Sequence, residues 1–279
     1  ASTQLRTSTR LGQAMKVIAS RANPFYKTLL RQFRVAGKPG ELIWLEGPHL
    51  CQMWQTHQMG MAWLIFESSR LGDPAIEALR VGVDLEQQIC LSHDLFDSIS
   101  SVQSHQGVLM VVPAPEVPSL VRLNCATVLL DRIQDPGNVG TILRTCAAAG
   151  ITQVICSPGT AAVWSPKVLR SAQGAHFVLQ IHENIDLSAL LAKALGSQDR
   201  LPVLATALDA SASLFETTLP EQAVWVFGHE GQGVAPDLLA MADQRIRIDH
   251  AQAAIESLNV ASAAAICLFE QRRQHRQGQ

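Results

Sequence analysis

The residues best suited to chemistry are polar ones set among apolar neighbours at three places in the second half of the chain. The first is "LLDRIQDPGNVGTILRTCAAAG" (129–150), where an apolar run ends, Asp135-Pro136-Gly137-Asn138 makes a turn, and a helix opens. Asn138 can serve as a plain cap for that helix. Arg144, six residues on, stands among Ile, Leu, Cys and Ala, where an arginine taken by itself can snorkel or pair with a surface acid. The second place is "VWVFGHEGQGV" (224–234), with Gly228, Gly231 and Gly233 around His229 and Glu230. Glycines at a strand end let the backbone approach a ligand closely. Their spacing is neither G-x-G-x-x-G nor a Walker loop, so no pyrophosphate cradle is indicated. "HEGQG" opens like a zinc-protease motif, but Gly233 stands where the second histidine must be. Glu230 therefore reads as a site residue and His229 as a bystander. The third place is "IESLNVASAAAICLFEQRR" (255–273), where Glu256, Ser257 and Asn259 precede a helix starting at Val260. Ser and Asn are good N-caps, and a cap can also be a functional residue.

These loops need elements to hold them. Apolar, β-branched runs recur at 41–47, 61–66, 107–112, 126–131, 152–157, 176–181, 201–206, 223–228 and 245–249, and helix-like segments separate most of them. Alternating strands and helices predict an α/β fold with parallel sheets. "PAPEVPSLVR" (113–122) places three prolines within six residues, which resists both helix and sheet and reads as a linker. The expected organisation is a small N-terminal α/β domain (1–112), that linker, and a C-terminal domain (123–279) of mostly parallel sheet flanked by helices. In an open parallel sheet, strand ends converge on one crevice, so the three polar loops are expected to meet.

Hydrophobic residues make up 47% and charged residues 16% of the 279, a composition with ample core and no disorder signature. No apolar run is long enough to cross a bilayer. The six cysteines are scattered without a CxxC pair, which suits reduced thiols in a cytoplasmic protein and argues against a zinc site; no metal is expected. The net charge of −2 conceals an asymmetry. Residues 1–40 hold Arg6, Arg10, Lys16, Arg21, Lys27, Arg31, Arg34 and Lys38 with no acid, leaving 14 Lys and Arg against 24 Asp and Glu elsewhere. A basic arm on an acidic body favours a polyanion. A transit peptide has a similar composition, but "NPFYKTLLRQF" (23–33) runs on as an amphipathic helix into the domain.

"DPGNVGTILRT", "FGHEGQGV" and "ESLNVASAAAICLFE" together resemble, in order and spacing, the three motifs of the SpoU (TrmH-type) RNA ribose 2′-O-methyltransferases. "SPKVLRSAQGAHF" (165–177) is similar to the stretch between the first two motifs, and "ASRANPFYKTLLR" (19–31) to the start of an appended substrate-binding domain. The resemblance implies a trefoil knot in the C-terminal domain, a feature periodicity could not reveal. It implies S-adenosylmethionine as methyl donor and a homodimer packed through the knotted domain. A donor without phosphates agrees with the missing phosphate loop, and the Ala-rich face of helix 260–273 (Ala261, Ala264, Ala265, Leu268) suits close packing on a partner. By the same resemblance Gly228, Ile248 and Leu258 match cofactor-binding positions, while Asn138, Arg144, Glu230, Ser257 and Asn259 match the catalytic set. The chain departs from the family at Asp249-His250, where Pro-Met is usual, and at "AQAAIE", which lacks a usual glycine and is one residue longer. It also carries His229 where Asn is usual.

The implied reaction is an in-line displacement, so catalysis is mostly alignment of the ribose oxygen with the methyl carbon. Arginine stays protonated and is a poor base, so Arg144 is expected to grip an RNA phosphate and stabilise developing charge on oxygen. Ribosomal RNA is the expected substrate, with transfer RNA next. Two rival readings are a non-catalytic RNA-binding relative, against which the intact polar set argues, and a nucleotide-dependent transferase, against which the missing phosphate loop argues.

Overall fold

A computed structural model describes residues 15–38, 40–57, 60–115, 121–251 and 256–275. Arg6, Arg10, residues 116–120 of the Pro-rich segment and residues 252–255 of the third loop lie outside them. The chain divides into two compact units, one of residues 1–35 and 44–113, the other of residues 36–43 and 114–279.

The first unit is built on five strands: β1 (Lys16–Ile18), β2 (Ile43–Glu46), β3 (Trp63–Glu67), β4 (Gln88–Leu91) and β5 (Val108–Val112), in the order β1-β4-β3-β5-β2. β4 runs parallel to β1 and β3, whereas β5 runs antiparallel to β3. β3, β4 and β5 are buried almost throughout, which explains why they read as continuous apolar runs without alternation. Four helices accompany them: α1 (Pro24–Val35), α2 (Pro48–Thr56), α3 (Pro74–Arg80) and α4 (His93–Asp97). In α1, Tyr26 and Leu29 are buried, while Lys27, Arg31 and Arg34 are exposed on one ridge at i, i+4 and i+7. β1 and β4 carry no long apolar run to announce them, only Val17-Ile18 and, after Glu86-Gln87-Gln88, Ile89-Cys90-Leu91.

The second unit holds seven strands: β6 (Thr127–Leu130), β7 (Gln153–Cys156), β8 (Gln180–His182), β9 (Val203–Thr206), β10 (Ala212–Ser213), β11 (Val224–Phe227) and β12 (Gln244–Arg247). Their order is β10-β12-β9-β11-β6-β7-β8, and all six pairings are parallel. The helices are α5 (Pro136–Ala149), α6 (Pro166–Ala172), α7 (Leu187–Ala194), α8 (Pro236–Met241) and α9 (Val260–His275). On one face Leu129, Ile155, Val203, Val224 and Val226 pack with Leu187, Leu191 and Leu238 of α7 and α8. α5 packs against α6 and α9. Asp135 caps α5 by accepting from the Asn138 amide, Pro136 occupies the first turn, and Gly150 ends the helix in the left-handed region. Arg272 of α9 donates to the Ala149 carbonyl (3.0 Å), tying the two helix ends together.

Two expectations change here. The strand anticipated at 176–181 is a short 3-10 turn at Ala175–Phe177 followed by β8 from Gln180. Gln173 and Gly174 adopt left-handed conformations after α6, so the backbone is still turning where the apolar run begins; His176 is buried with Nε2 2.6 Å from the Val163 carbonyl. The small face of α9 is used within the chain: Ala261, Ala264, Cys267 and Leu268 are buried and the helix lies on α5. All six cysteines are free. Among the described residues no helix is long and apolar enough to cross a membrane.

Candidate functional site

β6, β11 and β12 are parallel to their neighbours, so their C-terminal ends share one edge of the sheet. The loop after β6 carries Asn138, the loop after β11 carries Glu230, and the segment after β12 carries Ile248 and, at the mouth of α9, Ser257 to Asn259. Asn138, Glu230 and Asn259 join in one hydrogen-bond chain. Asn138 Nδ2 donates to Glu230 Oε1 (3.1 Å), and Asn138 Oδ1 accepts from Asn259 Nδ2 (2.9 Å). Asn259 Oδ1 in turn accepts from the Ala261 and Ser262 amides (2.9 and 3.2 Å), capping α9. Each amide orientation is thus fixed by its neighbours: a carboxylate only accepts and backbone N–H groups only donate.

Glu230 is held from a further side. The backbone amides of Asp135 (3.1 Å) and Gln134 (3.2 Å) donate to its two oxygens. Partial burial pushes its carboxyl upward, but the Asn138 amide and these backbone donors outweigh that and leave it below the usual glutamate range. Glu230 is an anion whose lone pairs are occupied by structure, which suits it to fixing the first and second loops in register.

Beside this relay lies a cleft of about 560 Å³, within the size range of small-molecule sites. Gly228, Ile248 and Leu258 line it, as do Glu230 and Ser257. Gly228 is required by a close approach: a Cβ there would fall 2.1 Å from Val234 N and 2.2 Å from Gly233 C. Asn138, Asn259 and Arg144 are not in the wall. Arg144 is exposed, with no hydrogen bond or ion pair to its guanidinium among the described residues, and lies about 9 Å along α5 from Asn138 and roughly 120° around its axis. The structure therefore brings Asn138, Glu230 and Asn259 into contact, gathers Gly228, Ile248, Leu258 and Ser257 around the cleft, and leaves Arg144 apart as a free surface cation.

The third loop departs from the family in sequence, and the replacing residues have partners. Asp249 accepts from Arg247 Nε (2.9 Å) and from the Ser213 hydroxyl. His250 places Nδ1 2.9 Å from the Ile248 carbonyl and Nε2 3.4 Å from the Glu256 carbonyl, bracing the two ends of the loop. Two residues not singled out in the sequence, Asp131 and Arg132, help shape the second loop. Buried Asp131 accepts from Arg132 Nε (2.9 Å) and Nη2 (3.0 Å) and from the Ala235 amide (2.9 Å). Arg132, in the left-handed region at φ 57°, donates to Gln232 Oε1 (2.8 Å). His229, read as a bystander, accepts from the Gly231 and Gln232 amides at Nδ1 (3.0 and 3.2 Å), which requires the neutral tautomer protonated at Nε2. An acid ending a buried strand in "LLDR" was the available signal for Asp131; nothing in the sequence marks the tautomer.

Residues 126–269, which carry every candidate site residue, match the SpoU rRNA Methylase family. An uncharacterised tRNA/rRNA methyltransferase of Synechocystis sp. is 31% identical over 263 residues, covering 92% of this chain and 93% of the relative. The 23S rRNA (guanosine(2553)-2′-O)-methyltransferase RlmP of Bacillus subtilis is 36% identical over 198 residues, 69% of this chain and 77% of that protein. In structure, the SpoU methyltransferase AviRb of Streptomyces viridochromogenes, solved in complex with AdoMet (S-adenosylmethionine), aligns with a TM-score of 0.80 at 22% identity over 92% of this chain and 100% of that one, a likeness of fold. With its three polar loops inside a family match spanning more than half its length, the chain belongs to the SpoU rRNA methylase family.

Proposed function

We propose that this protein transfers a methyl group from S-adenosylmethionine to a ribose 2′-hydroxyl, with ribosomal RNA as substrate. The observation that carries the reading is the cleft at the strand ends, walled by Gly228, Ile248 and Leu258 and joined through Glu230 to the Asn138–Asn259 relay. Support for the substrate comes from the B. subtilis relative, named for a 2′-O-methylation of 23S rRNA, and support for the donor from the AdoMet complex of AviRb. The cleft suits such a donor: it has no phosphate loop, and at Gly228 a backbone approach that a side chain would fill. Gly228, Ile248 and Leu258 would hold the adenosine and methionine parts through backbone groups. When bound, the donor supplies an electrophilic methyl carbon.

The remaining work belongs to the chain. Glu230, Asn138 and Asn259 keep three loops at fixed spacing, and alignment is where most of the barrier reduction lies for a displacement of this kind. Ser257, exposed in the cleft wall, offers a hydroxyl to the donor's polar end. Arg144, without a partner among the described residues, grips an RNA phosphate and stabilises charge developing on the ribose oxygen. The exposed α1 ridge of Lys27, Arg31 and Arg34 gives the N-terminal unit its RNA-binding role. In this reading residues 1–112 form an RNA-binding domain, 113–122 the linker and 123–279 a methyltransferase domain with a trefoil knot. Two chains pair through the side of α9 that its own chain leaves open, where Ser262 and Phe269 are exposed. The protein works in the cytoplasm.

The test is single-turnover methylation of rRNA and tRNA with isotopically labelled donor, run beside calorimetric donor binding. Arg144→Ala should keep donor affinity within a few-fold while slowing transfer by about 10²-fold or more, the scale of one lost transition-state donor. Arg144→Lys should rescue little, since one ammonium does not reproduce a planar fork. Lost donor binding with a normal rate at saturation would make Arg144 structural and overturn its assigned role; methylation of tRNA alone would overturn the substrate.

A further inference from the structure

We propose that Glu67, His93 and His105 of the N-terminal unit form a binding site for a divalent cation of the zinc type. The three residues are 26 and 12 positions apart, so no short motif announces them, and the expectation of no metal rested on cysteine spacing and on the incomplete "HEGQG" motif. Topology brings them together. β3 and β4 are parallel neighbours, so Glu67 at the end of β3 and His93 just beyond β4 share one edge of the sheet. β5 runs antiparallel to β3, with Phe66 opposite Val108, so the chain entering β5 returns His105 to that same edge.

The donor atoms all lie within 4.8 Å of one another. Glu67 Oε1 is 3.1 Å from His93 Nδ1, and Glu67 Oε2 is 3.8 Å from His105 Nδ1. Bonds of about 2.0–2.2 Å in a tetrahedral zinc site imply ligand–ligand separations of roughly 3.3–3.6 Å, so the two observed distances straddle what such an ion needs. The side chains of Glu67 and His105 are each only 5% exposed. Among the described residues His105 Nδ1 is buried without any hydrogen-bond partner. An orphaned ring nitrogen of this kind is costly, and it faces a carboxylate beyond hydrogen-bonding reach. Glu67 and His93 already meet at 3.1 Å, which leaves His105 Nδ1 as the unsatisfied group. A cation satisfies all three groups together.

One surrounding contact fits the same reading, and a second carboxylate stands near without bonding: His105 Nε2 is 3.9 Å from Asp97 Oδ1, beyond hydrogen-bonding reach. The Ser69 hydroxyl donates to Glu67 Oε1 (2.6 Å), fixing the carboxylate. The His93 side chain, 67% exposed, opens the site to solvent and leaves room for water as a further ligand. Two imidazoles and one carboxylate favour zinc, cobalt or nickel over magnesium or calcium. Bound there, the ion ties the end of β3, the start of α4 and the approach to β5 into one knuckle, independently of methyl transfer.

The test uses the full chain, stripped of metal by chelation and titrated with Co²⁺ while visible absorption is recorded. One Co²⁺ per chain should bind with the intense bands of four- or five-coordinate cobalt, and Zn²⁺ should displace it. His93→Ala, at an exposed position that does not endanger folding, should weaken binding at least about tenfold, and Glu67→Gln should weaken it further. His49→Ala, an exposed histidine of the same unit, should leave the titration unchanged. Zn²⁺ should raise the Tm of the wild type and not that of His93→Ala. Absence of stoichiometric binding, or retention of wild-type affinity in either His93→Ala or Glu67→Gln, overturns the proposal.

Discussion

Replacing Gly228 by alanine tests the cleft at its tightest point. The added Cβ would lie 2.1 Å from Val234 N, 2.2 Å from Gly233 C and 2.4 Å from Gly233 O. Non-bonded carbon contacts settle near 3.5–4.0 Å, so backbone rather than side chain has to move, by more than ~1 Å. The movement disrupts the Gly233 amide bond to the His229 carbonyl (2.8 Å) and the two amides that His229 Nδ1 accepts. Overpacking of this severity costs roughly 1–3 kcal/mol. Charged against a loop that must be closed to bind, that cost becomes a donor affinity weaker by roughly 5- to 150-fold. Calorimetric titration with S-adenosylmethionine reads the change directly. Gly231→Ala is the internal control: its Cβ would meet only the His229 ring, at 3.8 Å, and affinity should stay within about twofold, since surface changes away from strain are near neutral. If Gly228→Ala binds the donor as tightly as Gly231→Ala does, the closed loop is not what the donor recognises and the assignment of this cleft fails.

Asn138→Ala removes both side-chain bonds of the relay and should lower stability by about 1–2 kcal/mol, and in a double-mutant cycle with Asn259→Ala the two losses should be clearly non-additive; strict additivity by urea unfolding would mean that the relay does not act as a unit. Burial lowers the His176 ring to about 4, only partly offset by the Val163 carbonyl, against ~6.5 in an unfolded chain. The unfolded state takes the proton first, so this contribution is complete above pH ~6.5 and is lost as pH falls from there towards 4. Its ceiling is ~3 kcal/mol, and His176→Gln should flatten that part of the pH–stability curve. Neutralising Lys27, Arg31 and Arg34 together should reduce the slope of log affinity for RNA against log salt by about 2 without altering donor binding; an unchanged slope would move the RNA contacts elsewhere.

Legibility in the sequence followed the physics of each signal. β6, β9 and β11 were plain because strands buried on both faces need uninterrupted apolar residues. β1, β4 and the two-residue β10 offer at most three consecutive apolar residues and did not register, and the run 176–181 misled because Gln173 and Gly174 turn the backbone just before it. Asn138, Glu230 and Asn259 could be singled out as polar residues at strand and helix ends, yet nothing local says that one amide would accept from one neighbour while donating to the other. Their contact depends on strand order, which a linear pattern does not encode. Arg144 stood out by type, but its separation from the cleft follows from the helical turn between it and Asn138. The Glu67, His93 and His105 cluster stayed hidden because each residue taken singly resembles an ordinary surface group, and only the pairing of β3 with both β4 and β5 gathers them.

The relay also sets a clock. Asn138 contacts partners 92 and 121 positions later in the chain. At synthesis rates of about 5–20 residues per second, Asn259 leaves the ribosome roughly 6–24 s after Asn138 does. For that interval β6 and α5 can form, yet Asn138 has no amide to accept from and α5 lacks the α9 surface it packs on. A nascent chain halted before α9 would hold all seven strands of the second sheet but not the Asn138–Asn259 contact, so the proposed site is completed only once the start of α9 has been made.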